Sequence, residues 1–256
     1  MHNRQPSTRF LKRHILASDR HPFIGRIIDL SIVSLHSDSY EELSRHPDCK
    51  YALEVDFALS SLIQRIESLN LVGNILWPDP FPKHFEGLPI NRHEWLTVGA
   101  DVFLMRYVSV VDCTLLLVNS VFECGLPARS CTLKALEKAG VPLDLIDSLV
   151  VLQADQGDLR IERNSRFHHG FERAFTSDDL TFRLAANFEK RGLGLRGTDA
   201  ENRRINVSRS FKEGLVELQR DFNTSTKKLV RRMNVVYDLL APEFEARFSP
   251  RFKPLT

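Results

Sequence analysis

The stretch RHEWLTVGADVFLMRYVSVVDCTLLLVNSVFEC, residues 92–124, decides the fold. Its apolar positions Val98, Val102, Leu104, Met105, Val108, Val111, Leu115, Leu116, Val118 and Phe122 recur at helical steps and reach round much of a helix. A long helix that is apolar on more than one face must be covered on more than one side, which makes it the central member of a helical bundle. Asn91 or a neighbour supplies its N-cap, and Gly125-Leu126-Pro127 supplies the stop. The run from Tyr107 to Cys124 comes nearest to a membrane span, but Asp112 and Glu123 interrupt it.

Outward from this helix, the same period returns. Val55, Leu59, Leu62, Ile66 and Leu69 mark one apolar stripe and predict a helix over Tyr51–Leu71. Pro78, Pro80 and Pro82 then forbid regular helix. Residues 27–35 are apolar and β-branched, and periodicity leaves them open between a strand and a buried helical turn. Residues 37–47 read as a loop with a short helix near 40–45, and residues 1–26 as a basic arm with a turn at His21-Pro22. On the other side, short helices are expected over 128–138 and from 143, and one near 171–188 entered through the cap-like Thr176-Ser177-Asp178-Asp179. Residues 191–206 read as a glycine-rich connector, and 208–240 as a final amphipathic helix that Pro242 ends or bends. Gly192, Gly194 and Gly197 have the spacing of a dinucleotide loop, but no strand precedes them. The sum is an all-α bundle, with residues 1–90 as an N-terminal arm, short helix and proline-rich loop, and 91–256 as the bundle proper.

Composition sets the outer bounds. The chain has 256 residues, 43% of them hydrophobic and 27% charged, with a formal net charge of +2. That is the profile of a soluble globular protein, and total charge alone predicts no nucleic-acid partner. The first 26 residues and the region after Glu201 are nevertheless basic. Lys227, Lys228, Arg231 and Arg232 span little more than one helical turn and form a weak candidate RNA-binding patch beside their ordinary role as a solvated face. Cys49, Cys113, Cys124 and Cys131 form no Cys-x-x-Cys pair, and Cys113 and Cys124 read as small buried thiols. A reducing, cytoplasmic setting is expected, and the N-terminus lacks the apolar core of a secretory signal.

Chemistry concentrates in Arg160-Ile-Glu-Arg-Asn-Ser-Arg-Phe-His-His-Gly170. Asn164 and His168 are four apart and share a helical face, so the amide can fix the imidazole tautomer. Arg163 and His168 are five apart, about 140° round the helix, and can converge on one phosphate if a helix end lies near them, if the long arginine reaches round, or if a second subunit supplies the partner. A histidine can take a proton from a ribose 2′-hydroxyl or return one to a leaving oxygen, and an arginine can hold the phosphate. Attack by the 2′-hydroxyl gives a 2′,3′-cyclic phosphate and requires no metal. His93-Glu94 lacks the partner histidine of an HExxH site.

Arg163-Asn164-Ser165-Arg166-Phe167-His168 resembles the R-x(4–6)-H motif of HEPN domains in its R-N-x-x-x-H form. The resemblance implies an α-helical bundle, a homodimer, and a metal-independent ribonuclease of the kind found in toxin–antitoxin, abortive-infection and CRISPR systems. It assigns phosphate contact to Arg163, acid/base work to His168 and positioning to Asn164, with no cofactor and no metal. Asp112 on the preceding helix is a plausible polar support, and His169 is a possible support that reads more readily as a surface or packing residue; an antitoxin or regulatory protein is a possible partner. Arg9 to His14 satisfies the bare spacing too, in the arm. The competing expectation is a non-catalytic helical protein that uses the same stretch to bind a partner or a nucleotide. Arg160 and Arg166 can then simply pair with Glu162, Glu172 or Asp158, each exposed pair contributing about 0–1 kcal/mol.

Overall fold

The computed structural model describes residues 21–78, 81–195 and 197–248. The elements are α1 (Pro22–Ser34), α2 (Tyr40–Leu43), α3 (Pro47–Leu76), α4 (Arg92–Val121), α5 (Leu133–Lys138), α6 (Leu143–Ala154), α7 (Gly157–His169), α8 (Asp179–Lys190) and α9 (Val207–Ala246). Among the described residues, extended pairing is confined to one isolated bridge between Thr198 and Arg204. The fold is all-α, and among the described residues no helix is long and apolar enough to cross a membrane. Arg9 and His14 lie outside the described residues.

The open segment 27–35 is helical through Ser34, with Leu35 as the C-cap. Pro22 sits in the first turn of α1, where its missing N–H costs nothing, and the His21 side chain caps that turn by accepting from the Phe23 amide at 3.3 Å. Asn91 does begin α4. Its side chain accepts from the Glu94 amide at 2.8 Å, while the Glu94 carboxylate accepts from the Asn91 amide at 2.8 Å. This is a reciprocal capping box. Asn91 also donates to Asn187 on α8 at 2.9 Å. Asn91→Ala is therefore expected to cost about 1–2 kcal/mol, the upper half of the range for cap removal, measured by urea denaturation. Asp178 caps α8 by accepting from the Thr181 amide at 3.2 Å. The expected helix over 128–138 splits into a 3-10 turn, Ala128–Ser130, and α5, which begins after the Thr132 cap. Pro242 does not end α9, because Phe244 beyond it is fully buried and holds the helix to the core.

The described chain forms two compact units, each assembled from separate stretches. The first contains Leu69–Arg106 and Asp158–Ser225. Its core brings together Leu96, Ala100 and Phe103 of α4, Phe182, Ala185 and Ala186 of α8, and Phe211, Leu215, Leu218 and Phe222 of α9. Phe103 and Phe222 stack face to face, centroids 3.6 Å apart and planes 10° from parallel. Gly214 allows the close approach of α9: a Cβ there would lie 2.5 Å from the Leu96 side chain and 3.0 Å from Phe175. The aromatic anchors of the proline-rich loop also act here, with Phe85 edge-on to Trp95 and to Phe211 and the Arg92 guanidinium 4.3 Å above the Phe85 ring.

The second unit contains 21–68, Tyr107–Gly157 and 226–248. Val55, Leu59, Leu62 and Ile66 of α3 are buried, as the stripe predicts. They share the core with Val108, Val111, Leu115 and Val118 of α4, Leu145, Leu149 and Leu152 of α6, and Met233, Val236, Leu240 and Phe244 of α9. Tyr51 stacks on Phe244 and donates its hydroxyl to the Val121 carbonyl at 2.9 Å, which satisfies the one polar atom it takes into the core.

Candidate functional site

The stretch 160–170 lies on α7 and its C-terminal end, so the motif residues sit on one uninterrupted helix. Gly157 opens the helix at φ +37° and Gly170 closes it at φ +69°, two conformations that favour glycine. The chain just before α7 is fixed: the buried Gln156 amide donates to the carbonyls of Tyr107 and Val108 at 2.9 and 3.2 Å. Arg166, His168 and His169 occupy the last turn, where the cationic Arg166 complements the helix dipole.

No residue of α7 is buried. Asn164, His168 and His169 are exposed and Arg163 is half-buried. Asn164 and His168 share the outward face, but among the described residues no side-chain hydrogen bond joins them. Exposed apolar side chains surround them: Ile161 is 64% and Phe167 46% accessible on the same helix, and Phe171 71% just beyond it. Asp112 is exposed on the part of α4 that belongs to the other unit. Lys227, Lys228 and Arg231 are exposed there too, while Arg232 is paired with Asp155 at 2.7 Å.

The buried charges lie elsewhere on the stretch. The Arg166 side chain is only 5% accessible and contacts Asp101 of α4 at 2.6 Å and Glu162 at 3.3 Å. Glu162 is among the three partners the sequence offers Arg166; Asp101 is not, because nothing local marks a partner so far away in the chain. Arg173, 12% accessible, reaches Glu162 at 3.5 Å, Glu217 at 3.6 Å, and Asp221. Burial pushes the Asp101 carboxyl above its ordinary range, against the pull of the Arg166 guanidinium.

His93 is a second polar group that periodicity did not single out. It is buried, held edge-on by Phe175 and Phe182, and its Nε2 lies 2.9 Å from the Asp179 carboxylate. Burial by itself would raise Asp179, but hydrogen bonds from the His93 ring and the Phe175 amide prevail and hold its carboxyl below the usual range. A carboxyl lowered by folding stabilises the fold above its unfolded pKa, and that contribution is lost as pH falls through the folded value. The melting temperature of the wild type should therefore exceed that of Asp179→Asn at neutral pH, and the gap should close below about pH 4. Thermal melts of both proteins across the acid range measure it.

Among the described residues no group of three His, Cys, Asp or Glu side chains is arranged to hold a metal ion. All four cysteines are free. Cys113 and Cys124 are half-buried rather than buried, and burial pushes the Cys131 thiol up to about 11. The glycine-rich segment follows α8 rather than a strand, and α9 begins only at Val207. No family model, no curated protein and no solved structure matches this chain.

Proposed function

We propose that the chain is an HEPN-type endoribonuclease that works without a metal, as a homodimer, in a toxin or antiviral-defence role. The observation that carries the reading is the placement of the R-N-x-x-x-H sequence on one continuous helix, with Asn164 and His168 together on its exposed face. In the proposed reaction His168 accepts the proton of a ribose 2′-hydroxyl, and the 2′-oxygen attacks the adjacent phosphorus. The bond to the 5′-oxygen breaks, and that oxygen leaves as a hydroxyl after taking up a proton. The products are a 2′,3′-cyclic phosphate and a 5′-hydroxyl end. Arg163 contributes the charge that offsets the developing negative oxygens.

Arg163 and His168 stand about 140° apart on a regular helix, so in this reading a single copy of α7 presents half of the site. A second copy supplies the missing half. The exposed Ile161, Phe167 and Phe171 beside the motif give that copy an apolar surface to cover. The test is RNA cleavage by the purified protein in EDTA, beside Arg163→Ala and His168→Ala. Cleavage lost in both variants is the expected result; absence of cleavage, or activity unchanged in both, overturns the reading. The same exposed apolar side chains favour a second reading, a non-catalytic interaction surface. It predicts partner binding that is lost on mutating α7, with no cleavage under any condition.

A further inference from the structure

α7 has an unusual attachment. A helix normally docks through an apolar stripe, but no residue of α7 is buried: of its large apolar side chains, Ile161 and Phe167 are exposed and Leu159 is half-buried. What enters the unit instead is charge. Arg166 is nearly inaccessible and links α7 to Asp101 on α4. Glu162, one turn earlier, is shared between Arg166 and Arg173, and Arg173 continues to Glu217 and Asp221 on α9. Two guanidinium groups thus join four carboxylates from three helices. Glu172 pairs with Arg183 on α8, and Arg220 faces Asp221 at 3.8 Å, so further charges of both signs stand beside the cluster. The planar fork of arginine can bind two carboxylates at once, which a lysine ammonium at the same place reproduces only in part.

We infer that Arg166 and Arg173 are positioning residues: they set the place and orientation of α7, and through it of Arg163, Asn164 and His168. The ion pairs dock α7 whatever its chemistry, whereas their effect on the site rests on the proposed ribonuclease reading. Removing Arg166 strips Asp101 and Glu162 of a partner in a partly desolvated cluster, and α7 keeps only the half-buried Leu159 as an apolar anchor.

The experiment is amide hydrogen exchange on the full chain, comparing wild type with Arg166→Met, Arg166→Lys and Asp101→Asn, with RNA cleavage measured on the same samples. Arg166→Met is expected to raise exchange in residues 158–169 by about tenfold or more while residues 179–190 keep their protection. Arg166→Lys should restore part of the difference, and Asp101→Asn should loosen the same segment less than Arg166→Met does. In cleavage, kcat should fall in the order of the loosening with KM little changed. Uniform loss of protection along the chain, or none in 158–169, overturns the clamp. Loosened α7 with unchanged kcat overturns the positioning role. A wild type that never cleaves RNA overturns the ribonuclease reading, and the exchange pattern still decides the clamp.

Discussion

His168→Ala is expected to lower RNA cleavage by about 10²- to 10⁴-fold, the contribution of a positioned acid/base group. It should do so without loss of stability, because the imidazole is exposed at the end of α7 and no described side chain depends on it. This pairing of effects separates a chemical role from a structural one. His169→Ala is the internal control: it removes an adjacent exposed imidazole of the same helix, off the face that Asn164 and His168 share. If the two variants lose activity equally, the loss comes from the helix terminus or its charge, not from a particular proton-transfer group. Single-turnover cleavage in EDTA, with melting temperatures on the same proteins, gives both readings.

Phe103→Ala is expected to have the largest effect on stability, about 3–5 kcal/mol. The ring is fully buried and stacked on Phe222 at 3.6 Å, so its removal leaves a cavity between α4 and α9 that the helices can only partly close. Val102, the neighbouring residue, is 38% accessible, and Val102→Ala should change stability by less than about 1 kcal/mol. Urea denaturation of the two variants tests the assignment of the α4 faces. Equal losses would mean that the core lies elsewhere.

The helices were legible in the sequence to different degrees, for physical reasons. Val55, Leu59, Leu62, Ile66 and Leu69 are all buried, since a single stripe at helical spacing has one way to be covered. On α4, apolar character all round shows that the helix is central but not which apolar residues stay outside. Val98, Val102 and Met105 are exposed. Segment 27–35 was ambiguous because short β-branched runs suit either structure, and the helix-starting Pro22 is the local signal that decides it.

The candidate site was legible only where spacing is local. Asn164 and His168 share a face because they are one helical turn apart, and the structure places both on the exterior. The clamp was not legible. Arg166 and Asp101, or Arg173 and Asp221, meet through packing of helices distant in the chain, and single charged residues carry no mark of a remote partner. The same holds for His93 and Asp179.

In the proposed ribonuclease, α7 presents half of a site and a second copy completes it. The direct measurement is cleavage by a mixture of Arg163→Ala and His168→Ala proteins, co-expressed so that mixed dimers form, in EDTA. Each mixed dimer carries one intact Arg163 and one intact His168 on different copies. The account predicts that the mixture cleaves RNA well above either variant alone, leaving 2′,3′-cyclic phosphate ends. A mixture as inactive as its separate parts, beside an active wild type, would contradict it.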